Sequence, residues 1–183
     1  AESLMAFNQK RVIVSAIILS SIVVTTFLWY CKSGVITVVL VIRHAEKAET
    51  PIDDLQRPLS PAGLTRAQTL VHVAGQAGVN SIFATQYLRT QQTVQPLATH
   101  LGLTVTQVDI NGVDGLVSQI RKNHRGENVL VAGHSDTVPR IIQKLGGGTV
   151  MTTESQFDNL FVVIIPKRGK EKIVHLKYGV PTP

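Results

Sequence analysis

Charge is scarce in this chain. Only 16% of its 183 residues are Asp, Glu, Lys or Arg, where about a quarter is usual, while 44% are hydrophobic. Part of that apolar content therefore belongs outside a globular core. Cysteine is nearly missing: Cys31 stands alone, which excludes an internal disulfide framework and a cysteine-based metal site and leaves the compartment open. Aromatic residues are few, and the basic residues are scattered rather than interleaved with them, so the net charge of +6 favours anionic partners weakly and does not point to nucleic acid. Internal repeats and low-complexity stretches are absent.

The excess of apolar residues sits at the start. "VIVSAIILSSIVVTTFLWYC", residues 12–31, carries no charge, and a helix of that length spans roughly 30 Å, the hydrocarbon thickness of a bilayer. Lys10 and Arg11 precede it and Trp29 and Tyr30 end it, as interfacial residues do. The reading is a short N-terminal segment (1–11), an uncleaved transmembrane anchor (12–31) and one domain over 35–183. A cleaved signal peptide and a buried helix are the alternatives; a small-x-small cleavage site is missing. The basic flank puts the domain on the far side of the membrane, so the expected localisation is membrane-anchored and periplasmic or extracellular. Met5 reads as a natural start behind a four-residue remnant.

Strand-like and helix-like stretches alternate through the remaining residues. "VITVVLVI" (35–42) is a continuous apolar run, the pattern of a strand buried on both faces. Ser60 and Pro61 open a helix as N-cap and first helical residue, with Leu64, Ala67, Val71 and Ala74 at helical spacing. Strands follow at 81–85, 103–108 and 128–133. Helices fall at 88–101 (where Pro96 disturbs the start or the straightness), at 112–124, and near Pro139 up to the triple glycine 146–148. "LFVVIIP" and "KIVHLKY", joined by "KRGKE", form a terminal hairpin. The expected fold is α/β: a three-layer sandwich with a mostly parallel central sheet flanked by helices, preceded by the transmembrane helix.

In such sheets ligands gather beyond the carboxyl ends of strands. Arg43-His44 ends one strand and Gly133-His134-Ser135 another, while Arg89 follows the strand 81–85. Two guanidinium forks and two imidazoles converging make an anion site suited to phosphoryl oxygens, and a correctly held imidazole can attack phosphorus. "VIRHAEK", "ATQYLRTQQT" and "VLVAGHSDTVP", in that order, resemble the histidine phosphatase (phosphoglycerate mutase-like) superfamily over residues 35–166. The short chain and "DLQRPLSPAGLTRAQ" are most similar to its small phosphohistidine-phosphatase-like branch.

The resemblance implies roles. His44 is the nucleophile that becomes phosphorylated, Arg43 and Arg89 hold phosphoryl oxygens, and His134 bonds the transferring group and stabilises the transition state. It implies no metal and no cofactor, a small phosphorylated substrate or phosphoprotein as partner, and the membrane only through the N-terminal helix. The general acid is open between Asp109, in the corresponding region after a strand, Asp114 and Asp136; Asp136 is alternatively a helix cap. Without such an acid, phosphoramidates or anhydrides are the expected substrates.

Blander readings cover the other residues. Glu46 is expected in a salt bridge or at the entrance. Ser135 lacks a nucleophile-elbow pattern and reads as a phosphate-side donor or cap. Arg57 reads as a solvated loop arginine, and His72, His100, His124 and His175 as structural or exposed. The expected function is a membrane-anchored, metal-independent phosphatase. Its alternatives are a non-catalytic anion-binding module of the same fold and a mutase-type phosphoryl transfer.

Overall fold

The computed structural model describes residues 20, 21, 25, 35–49 and 53–183. Residues 36–183 form one compact unit. Its elements are β1 (Thr37–Arg43), α1 (Pro61–Ala74), β2 (Val79–Thr85), α2 (Leu88–Leu101), β3 (Val105–Val108), α3 (Val113–Asn123), β4 (Asn128–Gly133), α4 (Thr137–Lys144), β5 (Asn159–Ile165) and β6 (Lys172–Lys177), with one 3-10 turn at Asp54–Gln56.

The six strands lie in the order β3-β2-β4-β1-β5-β6. β3, β2, β4 and β1 run parallel, and the β5–β6 hairpin closes one side antiparallel. The sheet is therefore mixed, with its parallel part holding four helices. Alternation along β1 explains the layers, because successive side chains point to opposite faces. Val39 and Val41 pack with α3 and α4 through Leu116, Ile120, Ile141 and Ile142. Leu40 and Ile42 pack on the other face with α1 and α2 through Leu70, Val94, Leu97 and Ala98. A strand covered on both faces reads as an unbroken apolar run, which is why "VVLVI" shows no alternation.

Local chemistry sets the element ends. The Ser60 hydroxyl accepts the N–H of Gly63 at 3.1 Å, and Pro61 occupies the first turn. The same end of α1 is pressed onto the segment after β1: Ser60 N donates to Glu46 O at 2.8 Å, and a Cβ on Gly63 would lie 2.2 Å from that oxygen. Pro96 lies inside α2, which continues to Leu101.

One expectation is corrected here. Apart from Ser20, Ser21 and Thr25, the apolar stretch 12–31 lies outside the described residues. Among the described residues no helix is long and apolar enough to cross a membrane. The longest helices of the compact unit have 14 residues, roughly 21 Å at the α-helical rise against about 30 Å of hydrocarbon. The membrane-anchored, periplasmic or extracellular assignment is overturned on that finding.

Candidate functional site

The parallel pairing of β1 with β4 sets Arg43 beside Gly133, and His44 N donates to Gly133 O at 2.9 Å. The register carries both histidines to the same carboxyl edge, where their ring centroids are 5.1 Å apart. Gly133 permits the turn into α4: a Cβ there would stand 2.7 Å from Thr137 Oγ1, which accepts the His134 N–H at 2.8 Å. His44 and His134 are 2% and 5% exposed.

His44 Nδ1 is 2.7 Å from Ala45 O. A carbonyl only accepts, so Nδ1 carries the proton and Nε2 keeps its lone pair. Burial, with the nearby Arg43, His134 and Arg89 charges, pushes the His44 pKa down to about 2. The ring is thus neutral at physiological pH and able to act as a nucleophile. His134 is pushed down to about 4, first by burial and then by Arg89.

A threonine pair fixes the His134 tautomer. Thr85 Oγ1 is 2.8 Å from both His134 Nε2 and Thr90 Oγ1. The Thr90 hydroxyl donates to Thr85 O and Tyr87 O at 3.0 and 2.6 Å. With the Thr90 proton committed to carbonyls, Thr85 donates to Thr90 and accepts from His134 Nε2–H. Nδ1 is the nitrogen left to a bound group. Tyr87 packs against the same ring, with centroids 4.9 Å apart.

Both arginines are buried and both carry an incomplete set of partners. Arg43 Nη1 donates to the carbonyls of Thr153 (2.9 Å), Glu154 (2.6 Å) and Gln156 (3.4 Å), and Nη2 pairs with Glu154 Oε2 at 2.9 Å. Its guanidinium lies over the Phe157 ring. Arg89 Nη1 donates to Asp54 O at 2.7 Å and Nη2 to Asp54 Oδ2 at 3.1 Å. The Nε of each is buried without a hydrogen-bond partner. Unpaired buried donors are uncommon in proteins, and two of them at one edge suit oxygens of a bound anion. Thr93, on α2, ties that helix to the segment after β1, accepting from Ala45 N and donating to Arg89 O in its own helix.

The structure brings together Arg43, His44, Arg89 and His134. The aspartates fall differently. Asp109 is exposed past the edge strand β3, and its carboxylate accepts the Asn111 N–H at 2.7 Å. Asp114 pairs with Lys144. Asp136 is the N-cap residue of α4 but makes no side-chain cap bond; its charge reaches His134 and Arg43 without a hydrogen bond to either. Glu46 grips buried Arg66 through both carboxylate oxygens. Arg57 is three-quarters covered and lies 3.6 Å from Asp54.

Sequence reasoning missed Glu154, Asp54, Thr85 and Phe157. Thr85 had a visible signal, the last residue of a strand just before the arginine helix. Glu154 sits in a loop without periodicity, where nothing marks it. Of the other histidines, His124 pairs with Glu127 and His175 with Asn159, while His72 and His100 are exposed.

Residues 39–110 match the family model of the histidine phosphatase superfamily (branch 1). The fold is shared with solved structures. The protein histidine phosphatase SixA complexed with tungstate is 18% identical, with a TM-score of 0.63 over 76% of this chain and 96% of that one. A putative phosphohistidine phosphatase SixA from Nakamurella multipartitia is 16% identical, with a TM-score of 0.58 over 79% and 98%. A putative alpha-ribazole-5'-P phosphatase from Escherichia coli is 15% identical, with a TM-score of 0.59 over 79% and 96%. The superfamily resemblance read from the motifs is borne out over residues 39–110, and the fold is one shared with SixA structures. The matched segment ends before His134, which the parallel β1–β4 pairing supplies.

Proposed function

We propose that the protein is a phosphatase that hydrolyses a phosphate monoester or phosphoramidate through a covalent phosphohistidine on His44. The observation that carries this reading is the neutral His44 ring, its Nδ1 tied to Ala45 O and its Nε2 left as nucleophile, beside two buried arginines with unpaired Nε–H groups. Nε2 attacks phosphorus and the bond to the leaving group breaks. Arg43 and Arg89 neutralise the equatorial oxygens, and His134 faces the same group with its Nδ1 lone pair, which accepts a hydrogen bond from a hydroxyl there. Water then cleaves the phosphohistidine. The reading routes no step through a metal ion. A phosphorylated small molecule or a phosphoprotein is the substrate class, in keeping with the phosphatases that share the fold.

The test is turnover of 4-nitrophenyl phosphate by the full chain, with and without a chelator, beside His44→Ala. Chelator-insensitive turnover abolished by His44→Ala, with an acid-labile and base-stable phosphoenzyme trapped in the wild type, is the expected result. Phosphate binding without turnover would move the reading to a non-catalytic anion-binding module.

A further inference from the structure

The phosphatase reading leaves a leaving group without a proton donor, and this inference rests on that reading. The aspartates considered from the sequence make no hydrogen bond to the histidines or arginines of the site. Two carboxylates do meet the site directly, Asp54 on Arg89 and Glu154 on Arg43. Glu154 Oε2 pairs with Arg43 Nη2 at 2.9 Å, and its Oε1 accepts from the Ser135 hydroxyl.

Arg43 itself shows what that contact means. A guanidinium receives two phosphoryl oxygens along one edge, through two adjacent N–H groups. Arg43 Nη1 is committed to three backbone carbonyls. The remaining edge is Nε, buried and unpaired, with Nη2, which Glu154 holds. At 4% exposure the guanidinium has little room to offer another edge. Nη2 has two N–H groups and Glu154 takes one, so a phosphoryl group binding side-on shares Nη2 with that carboxylate and sets its negative charge against it.

The carboxylate can give way without leaving. Its side chain is 78% exposed, whereas its backbone is pinned by the 2.6 Å bond from Arg43 Nη1 to Glu154 O and by Thr152 Oγ1 donating to Ser135 O at 2.7 Å. His44 is at the buried floor and Glu154 at the solvent side. In-line attack from the floor sends the leaving group towards solvent, which is where a displaced Glu154 remains. Its carboxyl is held below the usual carboxylate range, chiefly by the Ser135 hydrogen bond, with Arg43 and Lys47 adding to it. Exchanging the Arg43 contact for a neighbouring phosphoryl dianion reverses part of that balance and favours the protonated form.

We propose that Glu154 competes with the phosphoryl group for Arg43 Nη2 and, once displaced, is the general acid of the reaction. The Glu154 carboxyl proton passes to the bridging oxygen as the phosphorus–oxygen bond breaks and the bond from His44 Nε2 to phosphorus forms. The resulting carboxylate then takes a proton from the water that attacks phosphorus, which frees inorganic phosphate and returns His44 neutral. Asp54 mirrors the contact on Arg89, but it also lies 3.6 Å from Arg57, so it stays beside a cation after any exchange.

The experiment compares wild type, Glu154→Gln, Asp136→Asn and Asp54→Asn in the full chain. It uses 4-nitrophenyl phosphate, whose leaving group needs little protonation, an alkyl phosphate, whose leaving group needs it, and calorimetric titration with inorganic phosphate. Glu154→Gln is expected to lower kcat on the alkyl ester by about 100-fold or more and far less on the nitrophenyl ester. Phosphate is expected to bind it several-fold more tightly, since the competing anion is gone. Equal losses on both esters, unchanged alkyl turnover, or the leaving-group split appearing in Asp136→Asn or Asp54→Asn instead would overturn the assignment while the phosphatase reading stands. A wild-type chain inactive on both esters overturns that reading, and the acid role with it.

Discussion

At the scale of single residues, the site works by committing hydrogen-bonding atoms until one is left for each task. Ala45 O commits Nδ1 of His44, and three carbonyls commit Nη1 of Arg43. Thr85 commits Nε2 of His134. Thr85 touches no reacting atom in this arrangement; it positions the histidine that does. Thr85→Val keeps the shape and removes the acceptor, so His134 is free to change tautomer and to turn. We expect kcat to fall about tenfold, in line with losses seen when an outer partner of a functional histidine is removed, with KM nearly unchanged. Thr85→Ser, which restores the oxygen, should recover most of the rate. A Val variant as active as wild type would mean that packing against Tyr87 suffices to hold the ring.

At the scale of elements, much of the architecture was legible from the residues. The run at 38–42 stops at Arg43 because the strand leaves the core there, and Ser60-Pro61 mark a helix start by capping chemistry that needs no tertiary partner. The hairpin at the C-terminus follows from two apolar runs around a basic turn. What the residues did not reveal is the part made by distant pairing. Arg43 and Glu154 are 111 positions apart, and the loop that carries Glu154 has neither periodicity nor cap signals. The mixed character of the sheet is of the same kind, since antiparallel addition of β5 to β1 depends on which edge is left open. Gly63 joins the two levels: its lack of a side chain lets α1 rest on the segment that follows His44. Gly63→Ala places a methyl 2.2 Å from Glu46 O, a contact that only backbone movement can relieve. We expect a loss of about 1–3 kcal/mol, the usual range for overpacking, read as a lower midpoint in urea, together with reduced phosphate affinity because His44 moves with that segment. An Ala variant with unchanged midpoint would show that the α1 contact is loose.

At the scale of the whole molecule, the site is a cost to stability with a defined pH dependence. His44 and His134 are buried neutral, with pKa values pushed down to about 2 and about 4 from the usual 6.5. In the unfolded chain both protonate once pH falls below about 6.5, while in the folded protein they do not. The unfolded state therefore binds more protons in that window, and stability must fall as pH falls. For His134 the effect ends near pH 4, and for His44 it continues towards pH 2. At pH 5 each histidine removes about 2 kcal/mol relative to neutral pH, at 1.36 kcal/mol per pH unit. Asp158 acts lower down. Burial alone would raise its pKa, but hydrogen bonds from Lys177 and Thr182 bring it to about 2, so its contribution is present above about 3.8 and lost below that. Between pH 6.5 and pH 4 the histidines act without Asp158, a window read by urea titrations followed by circular dichroism between pH 8 and pH 4. His44→Gln removes one buried group that must charge on unfolding. Its stability should decline less steeply with acid than the wild type's, the two profiles diverging by about 2 kcal/mol from pH 7 to pH 5. Parallel profiles would mean that His44 already carries a proton in the folded protein, and a protonated ring at that position cannot serve as the nucleophile.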